Sequence, residues 1–181
     1  QSEIDSGKSQ IQEAEEEIKE KTKQADEEFE QAENEIANAK KQIQVNEQSL
    51  ATKEQEANSQ FEELENQKQG LQDNLNQVNS GLETMQEQYN LILEALENEQ
   101  LSEEQKQIYE AQKKELEAQI SSLNQNKQDL ENGITEIEQG ISSGKQEIEN
   151  GKQQINKAKT ELSNQEQTLN STKKTTYAQI E

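Results

Sequence analysis

Proline, cysteine, histidine, tryptophan and arginine are all missing from the 181-residue chain. Without proline, nothing in the sequence removes a backbone donor or forces a kink, so helices of any length are permitted. Without histidine, cysteine or arginine, the usual carriers of proton transfer, nucleophilic attack and bidentate phosphate recognition are gone. No glycine-rich phosphate loop lies between a strand and a helix, and the reading is of a non-enzyme with no cofactor and no metal. The lack of thiols suits a protein that works outside the cytosol and avoids stray disulfides. Aromatics are scarce, with two Phe and three Tyr, and 27% of residues are hydrophobic against 31% charged, too little apolar surface for a conventional globular core. There is no signal peptide and no apolar run long enough to span a bilayer. The formal charge of −21, with every cation a lysine, argues against binding a nucleic-acid backbone.

A chain of this composition is either disordered or a long exposed helix, and the apolar pattern selects the helix. Positions 29, 36, 43, 50, 57, 64, 71, 78, 85 and 92 are Phe, Ile, Ile, Leu, Ala, Leu, Leu, Val, Met and Ile, ten apolar residues in sevenfold register. Their companions are Ala25, Ala32 and Ala39, then polar Asn46, Lys53 and Gln60, then Phe61, Lys68, Leu75, Leu82, Tyr89 and Leu96 one residue out of step. A second stretch repeats the design, with Tyr109, Leu116, Leu123, Leu130 and Ile137 in one column and Ile134, Ile141, Ile148, Ile155, Leu162 and Leu169 in the other. The expected fold is all-α, a long antiparallel two-helix coiled-coil hairpin forming a single domain over residues 1–181.

The outbound helix is placed at about 2–97, the turn at about 97–103 and the return helix at about 103–181. Within "LENEQLSEEQKQIY" the register breaks, and Ser102 with Gln105 three residues on matches a capping box. Gly70, Gly81 and "NQVNSG" at 76–81 are the competing break points. With the turn near residue 100, facing residues have numbers adding to about 201, which sets Gly151 against Leu50 and Gly144 against Ala57. Two readings of these glycines stay open: holes that receive bulky side chains from the other helix, or weak joints tolerated at about 1 kcal/mol each.

Charge supports the antiparallel topology. Residues 1–35 hold thirteen acids and four lysines, residues 150–181 three acids and five lysines, and only a hairpin brings these stretches together. Asn46, Lys53 and Lys127 are expected as polar seam residues that either fix register or mark loose packing. Ile4, Ile11 and Ile18 need partners beyond residue 181, so the first turns are expected to fray or to pair with a neighbour. An apolar pattern running from Ile4 to Ile180 also suggests a segment of a larger protein. Fully helical, residues 103–181 make an arm of about 120 Å at ~1.5 Å per residue, a thin rod expected to be monomeric or weakly self-associating.

Near the turn, "YNLILEAL" at 89–96 is apolar nearly all round, and Tyr89, Leu91, Leu93, Leu101 and Tyr109 form a candidate partner-binding tip. The alternatives are that Leu101, Ile108 and Tyr109 fold over these residues to close the hairpin, or that the tip self-associates. The carboxylates of "EAEEEIKE" at 13–20 read as a solvated helix face, and the Asn170-Ser171-Thr172 sequon as accidental.

"GKSQI" at 7–11, "GKQEI" at 144–148, "GKQQI" at 151–155, "NAKKQI" at 38–43 and "NKAKTEL" at 156–162 resemble the Gly/Ala-Lys-x-x-Leu/Ile heptads in extracellular coiled coils of large Gram-positive membrane proteins. The likeness is to the coiled-coil insertion of FtsX-like (MacB-type) ABC transporter permeases, with similar runs in the phage-infection-protein family. The resemblance implies a stalk on the extracellular face of the cell membrane. It would be joined at both ends to the parent permease, coupled through it to a cytoplasmic ATPase subunit, and would act as a mechanical lever and an arm that binds an extracellular or cell-envelope protein. Two rivals are a hairpin of the tripartite efflux-adaptor type and a structural surface stalk or filament that dimerises.

Overall fold

Gln, Glu, Lys, Leu and Ala are strong or adequate helix formers, and long runs of them without proline favour helix even before packing. In a computed structural model that describes residues 2–180, the chain forms two helices, α1 (Ser2–Leu96) and α2 (Glu103–Ile180), and no strand among the described residues. The helices run antiparallel and pack along their apolar stripes. The fold is therefore an all-α helical hairpin.

The connection at 97–102 is short and has identifiable bonds. The Glu97 N–H still reaches the Leu93 carbonyl at 3.2 Å, and the Asn98 N–H tightens onto Ala95 at 3.2 Å. The Asn98 side chain then accepts from the Gln100 N–H at 3.0 Å, an Asx turn that reverses the chain. No residue needs positive φ, which explains why no glycine stands here. α2 begins with reciprocal bonds, Gln105 N–H to Ser102 Oγ at 3.2 Å and Ser102 N–H to Gln105 Oε1 at 3.0 Å, so two otherwise orphaned donors are satisfied.

Packing between the helices divides into two units, Gln55–Gln146 and the remainder of the described chain. In the unit that carries the turn, the buried seam residues are Leu75, Leu116 and Ile141. In the other they are Ala25, Phe29 and Leu162, with the Phe29 ring tilted against Tyr177 at 5.6 Å between centroids. Every seam residue is at least slightly exposed, as expected where one helix covers only one face of another.

The glycines divide by what stands opposite. A Cβ on Gly151 meets Leu50 Cδ1 at 3.0 Å, and one on Gly133 meets Leu71 Cδ1 at 3.2 Å. At Gly144 the neighbour is the Phe61 ring at 2.7 Å, which corrects the expected pairing with Ala57; the facing numbers there add to 205, not 201, and the aromatic ring sits over the hole. These glycines are holes. Gly70 and Gly140 meet nothing within 4 Å, and there the reading as tolerated weak points holds. Gly140→Ala is thus expected to raise stability by up to ~1 kcal/mol through helix propensity alone, whereas Gly144→Ala gains nothing net because the Phe61 ring must leave its seat. Thermal unfolding followed by circular dichroism separates the two; equal gains at both sites would return Gly144 to the class of weak joints.

At the polar seam residues the packing is loose. Asn46 and Lys53 are exposed but line an open groove with Gly151, Gln154, Ile155 and Ala158 of α2, and their neighbours Glu47 and Glu54 are half-buried. The inward companion column therefore steps by one residue after Ala39, well before Phe61. A straight helix drifts about 20° per heptad against a sevenfold repeat, and such a step recovers the drift. Lys127 is half-buried and reaches Glu131 on its own helix at 3.9 Å.

Candidate functional site

The column that steps inward carries a charge ladder. In the unit with the chain ends, Glu33 pairs with Lys173, Lys40 with Glu166, Glu47 with Lys159, and Glu54 with Lys152, the last at 2.6 Å. In each pair the two residue numbers add to 206, as 40 and 166 do, and successive rungs lie seven apart on both helices. Within the unit that carries the turn, the same constant gives Lys145 over the Phe61 ring at 5.8 Å, Lys68 with Glu138 at 3.9 Å, and the Tyr89 hydroxyl donating to Glu117 at 2.9 Å. Single exposed pairs contribute little, about 0.2–1 kcal/mol. Their order of signs matters more. Sliding α1 by one heptad in one direction sets Lys40 on Lys173 and Glu47 on Glu166; sliding it in the other sets Glu33 on Glu166 and Lys40 on Lys159. Each slip makes two like-charge rungs and keeps one attractive one, Glu54 with Lys159 or Glu47 with Lys152, so the ladder favours one register over its neighbours.

The ladder also explains the Gly/Ala-Lys-x-x-Ile/Leu pattern of α2. In "GKQQI", Gly151 receives Leu50, Lys152 meets Glu54 and Ile155 is half-buried in the seam. In "GKQEI", Gly144 receives Phe61, Lys145 lies over its ring and Ile148 is half-buried. In "AKTEL", Lys159 meets Glu47 and Leu162 is buried. Hole, rung and seam residue thus occupy one helical turn. This was not read from the sequence, yet opposite charges at a constant number sum were visible there.

The five tip residues divide. Leu91 and Leu93 are exposed, at 65% and 36%, and Ile108 joins them at 54%. Tyr89, Leu101 and Tyr109 are half-buried. Closure of the hairpin thus accounts for Leu101 and Tyr109 but leaves Ile108 outside. Leu91 and Leu93 stand two residues apart, about 200° round a helix, so no single packing partner covers both. Leu91 borders a groove shared with Ile92 and Leu116 and rimmed by Gln88, Gln112 and Gln119.

Two tyrosines tie the helices by charge-assisted bonds, Tyr89 to Glu117 and Tyr177 to Asp26, the latter at 2.6 Å. Donation to a carboxylate holds both phenols above their usual range, through the Glu117 bond for Tyr89 and the Asp26 bond for Tyr177. A raised folded-state pKa means that these ties are intact below the ordinary phenol range and are lost as pH rises through the shifted values.

At the start of α1, Ile4, Ile11 and Ile18 are 65%, 62% and 45% exposed, with no part of α2 over them. α1 is helical from Ser2, and the expected lack of partners for these isoleucines is seen. No helix is long and apolar enough to cross a membrane among the described residues. Comparison with protein-family models, curated proteins and solved structures found no match for this chain.

Proposed function

We propose that the hairpin is a non-catalytic extracellular stalk of a bacterial membrane transporter of the ABC-permease kind, acting as a mechanical lever and as an arm whose turn end binds an extracellular or cell-envelope protein. The observation that carries this reading is the division of roles along the chain. The arms are tied together away from the turn, as Asp26 to Tyr177, while the turn end exposes large apolar side chains, Leu91 and Ile108 for more than half their surface. An element fixed through both arms transmits displacement without dissociating, and a register pinned by the ladder resists sliding of one arm past the other. Of the heptads that resemble the permease insertion, those at 38–43, 144–148, 151–155 and 156–162 lie in this register.

Replacing Leu91, Leu93 and Ile108 together by serine tests the turn end. These side chains are exposed, so helicity and unfolding temperature should barely move. Capture of an envelope partner by the parent transporter, and transport that depends on it, are expected to be lost. Unchanged capture and transport would remove the binding role from the turn.

A further inference from the structure

We propose that the exposed start of α1 is a docking site for a lysine-flanked amphipathic helix running antiparallel to it, separate from the turn end and independent of the transporter reading. The argument begins with the motif whose mechanics α2 displays. Wherever Gly/Ala-Lys-x-x-Ile/Leu is engaged, the small residue faces a bulky side chain or lies one turn from one, the lysine reaches across the interface, and the fifth residue lies in the seam. α1 carries two copies: Ala39-Lys40-Lys41-Gln42-Ile43 is engaged, with Lys40 paired to Glu166 and Ile43 half-buried, and Gly7-Lys8-Ser9-Gln10-Ile11 is not. There a Cβ at Gly7 would meet nothing within 4 Å, Lys8 is exposed and Ile11 is 62% exposed. The hole, the lysine and the seam residue are present with no occupant.

Charge identifies the kind of occupant. Residues 2–21 hold seven acids and three lysines, a net −4, and a second copy of this same face would bring −4 against −4. The next acidic stretch along α1 shows how such a face is satisfied: Glu33 is met by Lys173 and Asp26 by the hydroxyl of Tyr177, from a segment of α2 that carries lysines and no acid between 170 and 180. The ladder repeat adds detail. Continued back in sevens from Glu33 and Asp26, the ladder column is Lys19, Gln12 and Asp5, so Lys19 calls for an acid opposite and Asp5 for a lysine. A helix with net positive flanks, an aliphatic residue seated at Gly7 and aliphatic heptads against Ile4, Ile11 and Ile18 meets every one of these requirements.

The test uses the whole chain and three synthetic probes of about four heptads each. One has leucine in both seam columns and lysine on both flanks, one has the same composition with the heptads scrambled, and one has glutamate in place of the lysines. Fluorescence anisotropy should show binding of the first alone, weakened at least about tenfold by Ile4→Ser with Ile11→Ser and also by Gly7→Leu, which fills the hole. Equal binding of the scrambled probe would reduce the effect to bulk charge and overturn the proposal. So would undiminished binding to the Ile4→Ser/Ile11→Ser chain, which puts the probe elsewhere. Concentration-dependent dimerisation abolished by those serines would assign the face to a second copy instead.

Discussion

Converting Glu33, Glu47 and Glu54 to lysine in one chain is expected to lower the stability of the hairpin by about 2–3 kcal/mol at low salt, roughly 1 kcal/mol per rung once a weak attraction becomes a comparable repulsion. The side chains are 34–57% exposed on the glutamate side, so solvent screening is already reflected in so small a figure. The loss should shrink by at least about half in molar salt, where the Debye length falls to ~3 Å. The direction is informative because the formal charge would at the same time fall from −21 to −15, each replacement adding two, a change that by itself relieves repulsion. Adding Lys152→Glu, Lys159→Glu and Lys173→Glu rebuilds the rungs with signs exchanged and returns the charge to −21. Unfolding midpoints should recover in the sixfold variant. Failure to recover would mean that the rungs are bystanders to a register fixed by the apolar seam.

A still larger effect is expected from Ile141→Asp. Ile141 is the least exposed seam residue, at 5%, in the unit that contains the turn. A carboxylate there loses its water, a cost of about 3 kcal/mol after partial relaxation that an i,i+4 contact with Lys145 offsets by no more than about 0.5 kcal/mol, on top of the lost apolar burial. Because packing is spread along two helices, the damage should be local. Amide exchange is expected to speed up around residue 141 and across from it on α1, while the ties at Tyr177 persist. Val45→Asp is the matching control, since Val45 is 57% exposed although its side chain is as apolar as any in the seam. It should change stability by no more than ~0.5 kcal/mol. Comparable losses at the two positions would contradict the assignment of which face packs.

Sevenfold apolar spacing made the two helices, the hairpin and the turn region legible from residues alone, because a helix without proline offers few alternatives to a stripe of Leu and Ile. The Ser102 and Gln105 cap was legible for the same local reason. The half-burial of Glu47 and Glu54 was not legible, because a strict heptad count cannot show where a helix steps its inward column, a matter of twist between partners and not of composition. The partner of Gly144 was not legible because a single sum of 201 was carried along the whole hairpin, whereas Gly144 and Phe61 add to 205 and Gly133 and Leu71 to 204. Of the turn-end residues, the exposure of Leu91 and Leu93 followed from their positions off the seam. The half-burial of Tyr89 followed from its place in the seam column, whereas its hydroxyl partner Glu117 becomes visible only once the constant of 206 is known.

Spin labels placed one each at positions 54 and 152, in protein diluted with excess unlabelled chain, measure the central claim directly. Helices packed about 8–10 Å apart with these residues on one rung give a label separation of roughly 2 nm or less that is unaffected by dilution. A separation beyond about 4 nm, or a short one that vanishes on dilution, would mean that the two arms do not pair within one molecule in this register.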